Sequence, residues 1–170
     1  MEKINNFDEW LVNQNFWNAD TELRKIVTFL DPASDVLGLL IRGSLIIEGM
    51  IDRLMVGKFS VVPKSIKRMP LSNKITIYEA FGGSESCIVW LKKFVGYRNE
   101  FAHRLVGLPE RDLFAFLKQD LDSLGMDYGD LGDFDILYAV IINRCGEIIS
   151  DIASILEIEI SGAELMIDGV

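Results

Sequence analysis

Between Val36 and Val56 the chain is dominated by apolar residues, broken by charge only at Arg42, Glu48, Asp52 and Arg53. No other stretch constrains the fold as strongly. Four ionised side chains in a segment of bilayer-spanning length argue against a membrane helix, because each would need a partner or water inside the hydrocarbon. Val36, Leu39, Leu40, Ile46, Ile47, Met50, Ile51 and Leu54 recur instead at helical spacing, which predicts a core helix reaching about Val56. Gly38, Gly43 and Gly49 lie within it. Glycine is locally unfavourable in a helix, so a neighbouring backbone is expected to approach closely there.

The rest of the chain reads as further helices. One is expected over Phe7 to Phe16 and another over Asp20 to Leu30, with Asp31-Pro32 as punctuation. Lys58 to Met69 is basic, contains Pro63 and reads as a loop ending at Pro70. A short helix follows over Ser72 to Phe81 and stops at Gly82-Gly83. Ser84 suits the N-cap of a long helix through Arg104, and Gly107 and Pro109 close it. Pro109 to Leu124 is another helix, with Glu110 and Asp112 favourable in its first turn. Gly125 to Asp133 is rich in glycine and aspartate and marks a turn. Asp133 is placed as the cap of a final long helix through Leu156. Ile155 to Ile160 alternates apolar and polar residues, which suits a short strand or an extended arm. No repeat, low-complexity segment or linker divides residues 1–170, so the expectation is one all-α domain.

Composition narrows what such a domain binds. With 170 residues, 49% hydrophobic and 25% charged, the chain can bury a sizeable core. Its net charge of −9 makes duplex DNA an unlikely partner, since phosphate is repelled on average. Cys87 and Cys145 have no CxxC spacing, and one histidine cannot complete an ordinary zinc site. No metal or other cofactor is implied. Met1 to Asn6 offers no apolar signal core. A cytoplasmic protein with no membrane association is expected.

That single histidine, His103, closes the segment Arg98-Asn99-Glu100-Phe101-Ala102-His103. On a helix Asn99 and His103 stand about 40° apart, whereas Arg98 and His103 stand about 140° apart. The latter pair converges only at a frayed helix end or across two subunits. An imidazole can move a proton near neutrality and a guanidinium grips phosphate. Together they can cut RNA without a metal, His103 serving the 2′-hydroxyl or the leaving oxygen and Arg98 the charged phosphorane. A plainer account has Arg98 paired with a carboxylate and His103 meeting the helix dipole.

Tyr97-Arg98-Asn99-Glu100-Phe101-Ala102-His103 resembles the RNxFAH signature of the HEPN superfamily. Leu71 to Gly82, with Ser72, Lys74 and Tyr78, looks like the helix preceding that motif in mannitol-repressor-like relatives, and Arg42 to Glu48 occupies the place of their upstream amphipathic helix. The likeness covers roughly residues 34 to 156 and is sharpest over 71–104. It implies an up-and-down bundle of about five to seven helices that often pairs as a homodimer. In nuclease members the Arg and His of two protomers share a composite cleft, so Arg98, Asn99 and His103 are the implied site residues. That reading is a toxin or defence-type, metal-independent endoribonuclease with an RNA substrate and an antitoxin as protein partner. The alternative is a non-catalytic transcriptional regulator similar to the mannitol repressor, acting through protein contacts.

Against RNA stand the acidic charge and the lack of an evident aromatic-plus-basic strip, although the Lys58–Arg68 cluster and Lys92, Lys93 and Arg104 offer cations for a groove or a solvated face. Other constellations are weaker. Glu48 and Asp52, four apart, suit a solvated or salt-bridged helix face, with Arg53 or Arg42 nearby, better than an acid–base pair. Asp127, Asp130, Asp133 and Asp135 lack the spacing of a calcium loop. Ser84 to Ser86 beside Gly82-Gly83 lacks the lysine of a phosphate loop. Trp10, Phe16 and Trp17 are read as core or dimer-contact aromatics.

Overall fold

In a computed structural model, which describes residues 17–59, 65, 68–103, 110–123, 125, 129, 131–157 and 160–161, the chain is an all-α helical bundle. The elements are β1 (Trp17–Asn18), α1 (Ala19–Leu30), α2 (Val36–Phe59), α3 (Leu71–Ala80), α4 (Glu85–His103), α5 (Glu110–Ser123), α6 (Asp133–Leu156) and β2 (Ile160–Ser161). The expected opening helix over Phe7 to Phe16, with Trp10, lies outside the described residues.

The apolar stretch becomes α2, the central helix. It packs against α1, α3, α4 and α6 and buries residues including Leu39, Leu40, Ile46, Ile47, Ile51 and Leu54. It runs to Phe59, past the Lys58 at which a loop was expected to begin. Gly43 shows why glycine is used here. A Cβ at that position would lie 3.0 Å from Ile141 Cδ1 of α6 and 3.2 Å from Phe94 Cζ of α4. The close approach is therefore made by side chains of two helices, not by a neighbouring backbone. Gly57 likewise admits Leu156, whose Cδ1 would be 2.7 Å from an added Cβ. Among the described residues no helix is long and apolar enough to cross a membrane.

Ion pairs fix how the helices sit. Arg53 of α2 reaches Glu22 of α1 at 3.4 Å, and both side chains are nearly buried. Burial lowers the Arg53 pKa, and Glu22 works against that shift. Arg42 donates to the Phe29 carbonyl at 2.8 Å and lies over the Phe29 ring. The salt-bridged face expected for Glu48 and Asp52 is present, and its partner comes from another helix. Both carboxylates face Lys74 of α3, whose Nζ is 2.7 Å from Glu48 Oε1 and 2.7 Å from Asp52 Oδ1. Lys74 is fully buried, and it pins the short α3 onto α2.

One turn later Tyr78, also fully buried, donates its hydroxyl to Asp151 of α6. Asp151 accepts from the Ser84 backbone N–H as well, at 2.9 Å. The turn between α3 and α4 is pressed against this pair. A Cβ on Gly83 would meet the Tyr78 ring at 2.6 Å, and Gly82 adopts a left-handed φ of 94°. Ser72, Lys74 and Tyr78 drew attention as a signature, and two of the three act as cross-helix pins.

Local boundaries also shift. Helix α3 begins at Leu71 with Pro70 at its cap, where a missing N–H costs nothing. Gly132 caps α6, and Asp133 and Asp135 occupy its first turn, where the helix dipole favours them. The alternating segment from Ile155 does not extend as a strand at its start. Helix α6 continues to Leu156 and ends on Glu157 in the left-handed region, and among the described residues Ile160–Ser161 pairs, in parallel, with Trp17–Asn18.

One face of α2 changes character along its length. Leu37, Ile41, Leu45, Glu48 and Asp52 fall within about 80° of one another on the helix. Lys74 covers the acidic half, whereas Leu37, Ile41 and Leu45 are 37%, 42% and 44% exposed.

Candidate functional site

Helix α4 holds the Arg98–His103 segment, and its two halves differ. Cys87, Ile88, Trp90, Leu91, Phe94 and Val95 are buried and lock the first half into the bundle. In the last turn only Phe101 is buried, while Asn99, Glu100, Ala102 and His103 are exposed. His103 is the final residue of the helix. Its side chain is exposed and not packed into the core.

Arg98 is half-buried, and its Nη1 donates to Asn99 Oδ1 at 2.9 Å. Among the described residues no carboxylate pairs with Arg98 and no hydrogen bond joins it to His103. The structure therefore brings Arg98 and Asn99 together, whereas Arg98 and His103 start from different sides of the helix. Successive helical rotation accounts for this, since five residues turn the side chain by about 140°. The amide of Asn99 accepts without adding negative charge, so the guanidinium keeps its capacity for an anion.

No family model, curated protein or solved structure matches this chain.

A second feature adjoins the segment. A cleft of about 490 Å³ opens between α4 and α5. Trp90 and Lys93 of α4 face Phe116 and Gln119 of α5 across it, and Arg144 of α6 borders it below. The Lys93 ammonium lies 4.9 Å from the Phe116 ring centroid, and Tyr97 stacks on the same ring at 5.6 Å. Trp90 stacks on Phe94 at 4.7 Å, and its indole N–H, though buried, has no hydrogen-bond partner among the described residues.

Charge beside the cleft is largely settled. Arg144 donates through Nε at 3.0 Å and through Nη2 to Asp120, and through Nη1 at 2.5 Å to Glu147. Burial lowers the Arg144 pKa, but the bonds to these two carboxylates outweigh it and raise the value. Lys93 has no carboxylate partner among the described residues.

Sequence reasoning reached only part of this. Of the cations offered for a groove, Lys93 faces the cleft, Lys92 turns to Glu79 at 2.7 Å, and Arg104 lies outside the described residues. Lys58 and Arg68 are exposed, while Lys64 and Lys67 are not among the described residues. Phe116 and Arg144 gave no sequence signal, because they come from separate helices. A spacing of Trp90, Lys93 and Tyr97 along one helix face was the one clue available.

The two cysteines stay within the bundle. Both are fully buried, and burial pushes the Cys87 thiol up to about 12, with Glu147 and Asp151 adding to the shift. Such thiols are poor nucleophiles. Among the described residues no cluster of His, Cys, Asp and Glu is arranged to hold a metal ion.

Proposed function

We propose that the protein is a HEPN-like, metal-independent endoribonuclease that uses Arg98, Asn99 and His103 at a cleft completed by a second copy of the chain. The observation carrying this reading is a guanidinium held by a neutral amide and not by a carboxylate, five residues before the only imidazole, which is exposed. Arg98 left in that state can bind a phosphodiester, and His103 can reach a substrate in solvent. The 140° between them on one helix favours a composite site in a homodimer, where Arg98 of one protomer works with His103 of the other.

In that site His103 takes the proton of a 2′-hydroxyl. The O2′–P bond forms, the P–O5′ bond breaks, and the 5′ oxygen leaves with a proton from solvent. Arg98 stabilises the charge on the pentacoordinate phosphorus. Asn99 positions Arg98.

The purified chain should therefore cut single-stranded RNA in EDTA and leave 2′,3′-cyclic phosphate ends. His103→Ala should remove the activity while leaving the melting temperature unchanged, since the ring is exposed. Cleavage that survives in His103→Ala, or no cleavage across varied RNAs, rules the proposal out.

A second reading has one observation in its favour. The exposed row Leu37, Ile41 and Leu45 suits a non-catalytic regulator that acts through a protein partner. RNA cleavage in vitro together with unchanged behaviour of Ile41→Lys would count against it.

A further inference from the structure

The groups lining the cleft between α4 and α5 have not been used by the catalytic residues. We infer that this cleft is a subsite for one unpaired nucleotide of single-stranded RNA, an inference that rests on the endoribonuclease reading and extends it from the reacting phosphate to the neighbouring base.

Four observations carry it. First, the fold assembles from two helices what the linear sequence does not display: a cation over an aromatic face. Lys93 sits 4.9 Å from the Phe116 centroid, and Tyr97 packs on the same ring. Basic groups interleaved with aromatic faces are how single strands are held, because every base has a π-face and every nucleotide a phosphate. Second, the row leads to the candidate site. Lys93 and Tyr97 are four apart on α4, so they share a face, and Arg98 is the residue after Tyr97. Third, at about 490 Å³ the cleft has the volume of a small-molecule site, large enough for a nucleotide. Fourth, Trp90 also borders the cleft, so a second aromatic side chain adjoins the base.

The charges set the direction in which a nucleotide would lie. Lys93 lacks a carboxylate partner among the described residues, while Glu85 borders the same cleft two turns earlier on α4. Asp120 is already bonded to Arg144. Phosphate belongs at the Lys93 end, toward Arg98, and the uncharged base belongs toward Gln119. This local arrangement also offsets the objection from net charge. A molecule at −9 repels a polyanion on average, but the backbone here meets Lys93 and Arg98 while the base meets the side that bears the carboxylates.

The test uses the full chain and a fluorescein-labelled twelve-nucleotide oligoadenylate, with the matching duplex as competitor, read by anisotropy in EDTA. His103→Ala serves as the background so that the probe stays intact. Phe116→Leu should weaken binding about tenfold, in the range expected for loss of one base-stacking contact. Lys93→Gln should weaken it several-fold and reduce the slope of log affinity against log salt by about 0.7, the share of one single-strand phosphate contact. Lys92→Gln, whose ammonium is paired with Glu79, should leave the affinity within about twofold, and the duplex should compete poorly.

Unchanged affinity in both Phe116→Leu and Lys93→Gln overturns the subsite, as does an absence of binding at low salt. Should Phe116→Leu not fold, the salt slope of Lys93→Gln decides alone, because that side chain is exposed. Binding that depends on Phe116 and Lys93 without any cleavage by the unmodified chain sinks the catalytic reading and leaves the subsite standing. Cleavage without that dependence does the reverse.

Discussion

Replacing Lys74 by Met isolates the interaction that holds α3 in the bundle. The Lys74 side chain is 0% exposed, whereas those of Glu48 and Asp52 are 30% and 18% exposed. Removing one partner of a fully buried ion pair costs about 3–5 kcal/mol, mostly because the other charge is stranded. Here the stranded carboxylates still reach water, and Met refills much of the space left by the lysine stem. We therefore expect a loss nearer 2–3 kcal/mol, which for a chain of this size lowers the melting temperature by roughly 5–10 °C. Urea unfolding followed by far-UV circular dichroism measures it. A companion variant, Glu48→Gln/Asp52→Asn/Lys74→Met, removes every charge at once and should recover to within about 1 kcal/mol of the parent, since an uncharged cluster strands nothing. The reasoning fails if Lys74→Met costs less than about 0.5 kcal/mol, the range of ordinary surface changes. It fails equally if the companion is no more stable than the single variant.

Two further predictions follow from packing and protonation. Gly43→Ala gains about 0.5–1 kcal/mol of helix propensity but forces a Cβ to 3.0 Å from Ile141, an overpacking cost of about 1–3 kcal/mol. The net should be a loss of about 1 kcal/mol in urea, relieved by Ile141→Val, and a stabilised Gly43→Ala would show that α6 yields more easily than this geometry implies. Alkali should destabilise the fold. Burial pushes the Cys87 thiol to about 12 from an ordinary value of 9.0, and burial with the bond to Asp31 pushes the Tyr138 hydroxyl to about 12 from 10.0. The native state thus holds these protons more tightly than the unfolded chain, and the stability present below pH 9.0 is lost as pH climbs from there toward about 12. A urea midpoint that stays level or rises over that interval contradicts the assignment.

What could be read from the sequence, and what could not, divides along the distance between interacting residues. Helix α2 was legible because its apolar positions repeat within one element, and Gly43 within it marks a close approach that side chains of two other helices make. Boundaries were less so. Pro70 displaced Ser72 from the start of α3, and Gly132 displaced Asp133 from the cap of α6, because several local signals competed for one position. Ion pairing was legible as a salt-bridged face but not in its partner. Arg42 and Arg53 lie near Glu48 and Asp52 in sequence and also reach α1, whereas Lys74, which binds both carboxylates, comes from α3. The cleft was the least legible feature, since Lys93, Phe116 and Arg144 belong to three helices and none is unusual in its own segment.

The candidate site shows the same division at finer grain. Arg98 and Asn99 are adjacent, so their contact follows from local geometry. The relation of Arg98 to His103 does not, because about 140° of helical rotation separates them. The buried first half of α4 makes this consequential. Packing at Cys87, Leu91 and Phe94 fixes the rotation of the whole helix, and that rotation determines which way Arg98 and Asn99 project. A site assembled in this manner has its precision set several turns from its chemistry. On the proposed reading, a substitution in the first half of α4 that rotates its last turn should lower activity without touching Arg98, Asn99 or His103.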